Sequence, residues 1–124
     1  MTPVDTFCCS SPELNHFLKY EALEDQDNAL SVTRVVYDGG GTVVGFFTLC
    51  ADSISRKKIN HDHSGVPGFH YPCYPAIKLA RMATDRRYEG RGVGKLMLNY
   101  SLSLARILSK TVGCRILTPD PKLL

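Results

Sequence analysis

A strand-like run, Ile77 to Ala83, gives way within one short segment to a helical apolar pattern. The segment, Ala83 to Leu96, reads Ala-Thr-Asp-Arg-Arg-Tyr-Glu-Gly-Arg-Gly-Val-Gly-Lys-Leu. It places Gly90, Gly92 and Gly94 at alternating positions among Arg86, Arg87, Arg91 and Lys95. A strand that feeds a glycine-rich turn and then a helix start converges backbone N–H groups, and the helix dipole adds positive potential there. Glycine lets the backbone approach a ligand and take positive φ. The segment therefore reads as an anion site for a phosphate-bearing ligand.

The rest of the chain supplies a fold around that junction. Ser10 and Ser11 before Pro12 and Glu13 predict a capped helix start. Leu14, Phe17, Leu18 and Ala22 give that helix one apolar face, and Glu24 to Asn28 is expected to leave it. Val32 to Tyr37 and Val43 to Leu49 are β-rich and flank Asp38-Gly39-Gly40-Gly41, which predicts an antiparallel hairpin. A short helix is expected over Ile54 to Ile59, a loop over His61 to Pro75 and a third strand over Ile77 to Thr84. Val93, Leu96, Met97, Tyr100, Leu104, Ile107 and Leu108 mark an amphipathic helix from Gly92 to Lys110, with Gly113 as its stop. Cys114 to Thr118 reads as a fourth strand, ended by Pro119-Asp120-Pro121. The order is that of one α/β domain over residues 1–124 with a mixed sheet.

Composition narrows the setting. The chain has 124 residues, which suits one core, and 44% hydrophobic with 22% charged residues is ordinary for a globular chain. No apolar run approaches the roughly 18 residues of a membrane helix. The N-terminus shows neither a basic nor an apolar signal region. The five cysteines are scattered, without a C-x-x-C pair. They are expected to be reduced thiols of a cytoplasmic protein rather than zinc ligands. A net charge of +3 permits an RNA or phosphate partner without requiring one.

The glycine spacing excludes two familiar phosphate loops. A Walker loop needs G-x-x-x-x-G-K-[ST], whereas Gly90 and Gly94 are one residue too close and Leu96 follows Lys95. A dinucleotide fingerprint needs G-x-G-x-x-G, and both registers fail, at Lys95 and at Met97. The segment resembles instead the pyrophosphate loop of the GNAT N-acetyltransferases, [QR]-x-x-G-x-[GA] at a strand-to-helix junction. Glu89-x-x-Gly92-x-Gly94 is the register that best places the helix start, with Glu89 in place of Gln or Arg and expected to point away from the ligand. Phe7-Cys8-Cys9, Leu14 to Leu18, Val43 to Leu49, Leu79 to Ala83 and Gly90 to Gly94 are similar to the TacT-type branch, the acetyltransferase toxins of type II toxin–antitoxin pairs.

The resemblance implies acetyl transfer from acetyl-CoA to the amine of an aminoacyl-tRNA, with a DNA-binding antitoxin as partner. It implies that Met82, Ala83 and Thr84 pair with the pantetheine arm and that the Met82 N–H, or its neighbour's, polarises the thioester carbonyl. Arg87, Gly90, Arg91, Gly92, Val93, Gly94 and Lys95 would hold the pyrophosphate. In the family a tyrosine after the strand matching Cys114 to Thr118 protonates the leaving thiolate. No residue here matches it, and Tyr71, Tyr74, Tyr88 and Tyr100 stand elsewhere. The expectation is therefore a GNAT domain lacking its C-terminal helix and strands. It would be a cut chain, a fold completed by a second copy through the edge at Cys114 to Thr118, or a CoA- or RNA-binding module without turnover. A protein or small-molecule amine is the alternative acceptor, because acceptor choice lies in loops such as Ile59 to Pro75.

Other candidates remain secondary. His61-Asp62-His63 with His70 reads as a polar loop, since spacing places no third metal ligand. Cys8 and Cys9 read as small buried thiols beside Phe7. Arg56-Lys57-Lys58 fits either tRNA phosphates or a solvated face. Arg34 and Arg81 fit either substrate contact or protection of a sheet edge.

Overall fold

The computed structural model describes residues 3–59 and 66–119. Ser11 caps α1 (Pro12–His16), its hydroxyl accepting from the Leu14 N–H at 3.3 Å, with Pro12 in the first turn. A π-turn follows over Phe17–Glu21, where the Ala22 N–H donates to the Phe17 carbonyl, and α2 (Ala22–Asp27) continues the helix. Glu24 to Asp27 thus stay helical, contrary to the sequence expectation. Gln26 Oε1 accepts from the Thr33 N–H at 3.2 Å and ties this helical end to the next strand.

Four strands form one sheet in the order β1 (Val32–Tyr37), β2 (Val43–Ser55), β3 (Cys73–Thr84) and β4 (Ile116–Pro119). The first two pairings are antiparallel and β3 with β4 is parallel, so the mixed α/β sheet is as predicted. β2 runs past its expected end and β3 starts before its expected beginning. Ile54 pairs with Tyr74 and Ser55 with Cys73, which leaves only α3 (Arg56–Ile59) as helix. Ala51, Asp52 and Ser53 are exposed, so this extension shows no apolar alternation and is carried by backbone pairing. The long helix, α4 (Val93–Leu108), and β4 are shorter than predicted. The His61-Asp62-His63 cluster, the Asp120-Pro121 break and part of the predicted loop lie outside the described residues.

The sheet buries both faces. On the α1–α2 side, Phe7, Phe17, Leu18, Ala22 and Phe46 form one cluster, with Phe7 and Phe46 meeting edge to face at 5.5 Å. On the α4 side, Phe47, Leu79 and Met97 form the other, with Met82, Val93 and Leu104 against them. Leu79 and Met82 are three residues apart, a spacing that a regular strand puts on opposite faces. The β2–β3 register slips between Thr48/Arg81 and Leu49/Leu79, so Ala80 is an extra residue that restores them to one side. α4 buries Met97 and Ser101, while Leu96 and Ile107, assigned to its apolar face from sequence, are 58% and 63% exposed. The buried serine is satisfied within the helix, its Oγ donating to the Met97 carbonyl at 2.9 Å.

Gly45 sets how closely α4 approaches the sheet. A Cβ there would lie 3.0 Å from Val93 Cγ1 and 3.1 Å from Met97 Sδ and Cε. Met97 is fully buried and Val93 is β-branched, so neither has room to yield. Gly45→Ala is expected to cost about 1–2 kcal/mol through overpacking, read as a lower urea midpoint with an unchanged slope.

Candidate functional site

The site begins where two parallel strands part. β3 and β4 pair over Ala76–Leu79 with Ile116–Pro119. From Ala80 to Thr84, β3 has β2 as its partner on one side and no described strand on the other. Its backbone N–H and C=O groups on that side form a free edge onto which an extended, amide-containing ligand can pair. Met82, Ala83 and Thr84 lie on that stretch, immediately after the Ala80 bulge.

Asp85 then turns the chain. Its backbone N–H donates to the Val44 carbonyl at 2.8 Å. Its side chain is 1% exposed and accepts from the Cys8 N–H at 3.1 Å and the Arg87 N–H at 2.9 Å. The Arg87 guanidinium adds a forked pair, Nε at 2.9 Å and Nη2 at 3.1 Å. These donors, the Arg87 side chain first, hold the Asp85 carboxyl at about 2 against the raising effect of burial. Cys8, expected to be buried with Cys9, is exposed, because its backbone rather than its thiol meets this node. Cys8, Cys9, Cys73 and Cys114 are free thiols.

The glycines follow. Gly90 and Gly92 have φ of +75° and +84°, so two of the three take the left-handed conformation that the sequence suggested. Gly92 caps α4 without a side-chain hydrogen bond, which leaves the first N–H groups of a 16-residue helix open to an anion. Gly94 lies within the first turn, where a Cβ would meet nothing within 4 Å. Arg91 and Lys95 are exposed beside it and Val93 is half-buried. Arg87, expected among the pyrophosphate contacts, is held by Asp85, with 57% of its side chain still exposed.

Tyr88 joins this loop to the β1–β2 turn. Its hydroxyl donates to Asp38 Oδ2 at 2.8 Å. Asp38 Oδ1 accepts from the N–H groups of Gly40 at 2.8 Å and Thr42 at 2.9 Å. The Thr42 N–H, then the Tyr88 hydroxyl, lower the Asp38 pKa, and the same hydrogen bond raises that of Tyr88. This phenol is thus engaged by a carboxylate, and that of Tyr74 accepts the Val66 N–H at 2.9 Å. Asp85, Asp38 and Tyr88 were not singled out from sequence as site residues. Asp85 carries a visible signal, an acid at the end of an apolar strand two residues before an arginine, whereas the Asp38–Tyr88 contact spans 50 residues.

A cleft of about 960 Å³ opens on the α1 side of the same strand. Glu13, His16 and Glu21 line it from the helix, and Lys78, Ala80 and Arg81 from β3. His16 Nε2 lies 3.4 Å from Glu21 Oε1. Arg81 stands over the Phe17 ring at 4.0 Å on an inner strand, which favours a role in the cleft over edge protection. Arg34 lies on the edge strand β1 and lines a smaller apolar groove beneath α4. Arg56 donates to the Phe69 carbonyl at 3.3 Å, and Lys57 is exposed. Among the described residues no helix is long and apolar enough to cross a membrane. Nor does any group of three His, Cys, Asp or Glu among them gather to hold a metal ion.

Known proteins are similar to this chain in sequence and in fold. The chain is 29% identical over 116 residues to a tRNA-acetylating toxin of Mycobacterium tuberculosis, covering 90% of this chain and 65% of that protein. It is 29% identical over 117 residues to a probable toxin TacT of Sinorhizobium fredii, covering 92% and 63%. It therefore spans just under two thirds of the length of these curated relatives. Among solved structures it is similar to AtaT complexed with acetyl-methionyl-tRNAfMet, with a TM-score of 0.80 at 21% identity, covering 97% of this chain and 73% of that one. The model of the acetyltransferase (GNAT) family matches residues 3–118, nearly the whole chain and both walls of the site. The chain belongs to the GNAT acetyltransferase family.

Proposed function

We propose that residues 1–124 act as one acetyltransferase domain that binds acetyl-CoA and transfers its acetyl group to the amine of an aminoacyl-tRNA, as a toxin-type enzyme. The parting of β3 from β4 beside two positive-φ glycines at the start of α4 carries this reading. The free edge at Met82, Ala83 and Thr84 suits the amide-rich pantetheine arm. Gly90, Arg91, Gly92, Val93, Gly94 and Lys95 suit the pyrophosphate, with Arg87 reaching it from its bond to Asp85. The Met82 N–H would donate to the thioester oxygen as negative charge develops there.

In the reaction the amine nitrogen forms a bond to the acetyl carbon and the carbon–sulfur bond breaks. The ammonium gives up one proton to solvent before attack, the nitrogen loses a second as the amide forms, and the leaving thiolate takes up one. Holding donor and acceptor at attack distance supplies most of the acceleration. The cleft carries both signs, Lys78 and Arg81 on the strand for phosphates and Glu13 and Glu21 on the helix for an ammonium. An aminoacyl end of tRNA bears both charges. The relative named as a tRNA-acetylating toxin supports that acceptor, and an antitoxin partner and a cytoplasmic setting go with it.

Radiolabelled acetyl-CoA incubated with this chain and charged tRNA is expected to leave label on the aminoacyl group, and none with deacylated tRNA. Label on free amines but not on charged tRNA would replace the acceptor. Tight CoA binding without transfer to any amine would replace the enzyme with a binding module.

A further inference from the structure

The glycine loop is braced from a distant part of the chain. Tyr88 sits two residues before Gly90, and its ring lies 5.1 Å from the Arg91 guanidinium carbon and 5.9 Å from that of Arg87. The hydroxyl at the other end of the ring reaches Asp38 across 50 residues. Asp38 is fixed in turn by two N–H groups of its own turn, so the ring is anchored to the β1–β2 hairpin rather than to the loop it belongs to. A phenol that donates to a carboxylate gains electron density on its ring, which strengthens the attraction of a cation above the face. Arg87 is already committed to Asp85, whereas among the described residues no ion pair is recorded for Arg91.

We propose that Tyr88, held by Asp38, is a positioning residue that presents Arg91 to the phosphates of the donor, which makes the β1–β2 turn part of the donor site. The inference rests on the reading of the glycine loop as a CoA phosphate site. Without the ring, Arg91 is a long exposed side chain with many rotamers, and the entropy of ordering it falls on the binding step. With the ring, that ordering is present before the ligand arrives. The effect is confined to ligands that carry phosphate.

The test is a set of dissociation constants for CoA and for pantetheine, which lacks the phosphates, by titration calorimetry. Tyr88→Leu is expected to weaken CoA binding about tenfold and Tyr88→Phe about threefold, with pantetheine unchanged. Asp38→Asn, which keeps an acceptor and removes the charge, is expected to fall with Tyr88→Phe. In Arg91→Gln the further change Tyr88→Leu is expected to cost nothing, because its effect runs through the arginine. Unchanged CoA affinity in Tyr88→Phe and Tyr88→Leu, an equal loss for pantetheine, or full additivity with Arg91→Gln would each overturn the proposal. A wild-type chain that binds CoA no tighter than pantetheine would overturn the loop reading itself.

Discussion

Gly92→Asp is expected to lower CoA affinity at least about a hundredfold. Gly92 has φ of +84°, a conformation costing an L-residue about 1–2 kcal/mol. The new carboxylate would also stand where a phosphate is to bind, and like charges about 4 Å apart near a surface repel by a few kcal/mol. The repulsion alone exceeds the roughly 2.8 kcal/mol of a hundredfold change, and the strain falls on the fold. Because strain and repulsion are mixed at Gly92, Gly94→Asp separates them. A Cβ at Gly94 meets no atom within 4 Å and its φ is ordinary, so the fold has no reason to suffer. Gly94→Asp is expected to keep the melting temperature and still lose CoA affinity by at least tenfold in a calorimetric titration. An unchanged affinity in that variant would remove the basis for placing the donor here.

The second large effect belongs to Asp85. Asp85→Ala is expected to cost about 3 kcal/mol of stability, since it leaves the Cys8 N–H and the Arg87 fork without their buried acceptor. The same carboxylate makes stability depend on acid. Its folded pKa is about 2 against an ordinary 3.8, so the folded state favours the charged form. Its contribution is therefore full above about pH 4 and is lost as pH falls from about 4 towards 2, amounting to about 2 kcal/mol. Urea unfolding of the wild type at pH 6 and pH 2.5 should show that loss, and Asp85→Asn should show less of it. An equal pH dependence in the Asn variant would assign the acid sensitivity to other carboxylates.

The sequence announced the strand, the glycine turn and the helix because each has a local cause. Gly90 and Gly92 are needed where φ is positive, and Ile77 to Ala83 is a largely apolar run within β3. What it hid was non-local. The extension of β2 to Ser55 shows no apolar alternation, because Ala51 to Ser53 face solvent and their hold is the backbone of β3. Leu96 and Ile107 fit a helical apolar stripe yet lie outside, since the short β4 beneath α4 leaves Met97, Ser101 and Leu104 to meet the sheet. The Asp38–Tyr88 brace has no periodicity at all. Arg87 is among the pyrophosphate residues that the resemblance implies, but a letter cannot show that its guanidinium is already shared with Asp85.

The π-turn at Phe17–Glu21 changes the phase of the helix that contains it. In an uninterrupted α-helix the residue four after Phe17 would continue the buried stripe. That residue is Glu21, and a carboxylate in the Phe7–Phe46 cluster would be untenable. The inserted residue passes the buried position to Ala22 and turns Glu21 out to the cleft, within reach of His16. Deleting Glu21 would therefore close the π-turn into an ordinary α-helical turn, because Ala22 would then follow Phe17 by four residues. Ala22 would keep its buried place, and the cleft would lose one of the two carboxylates on its helical wall.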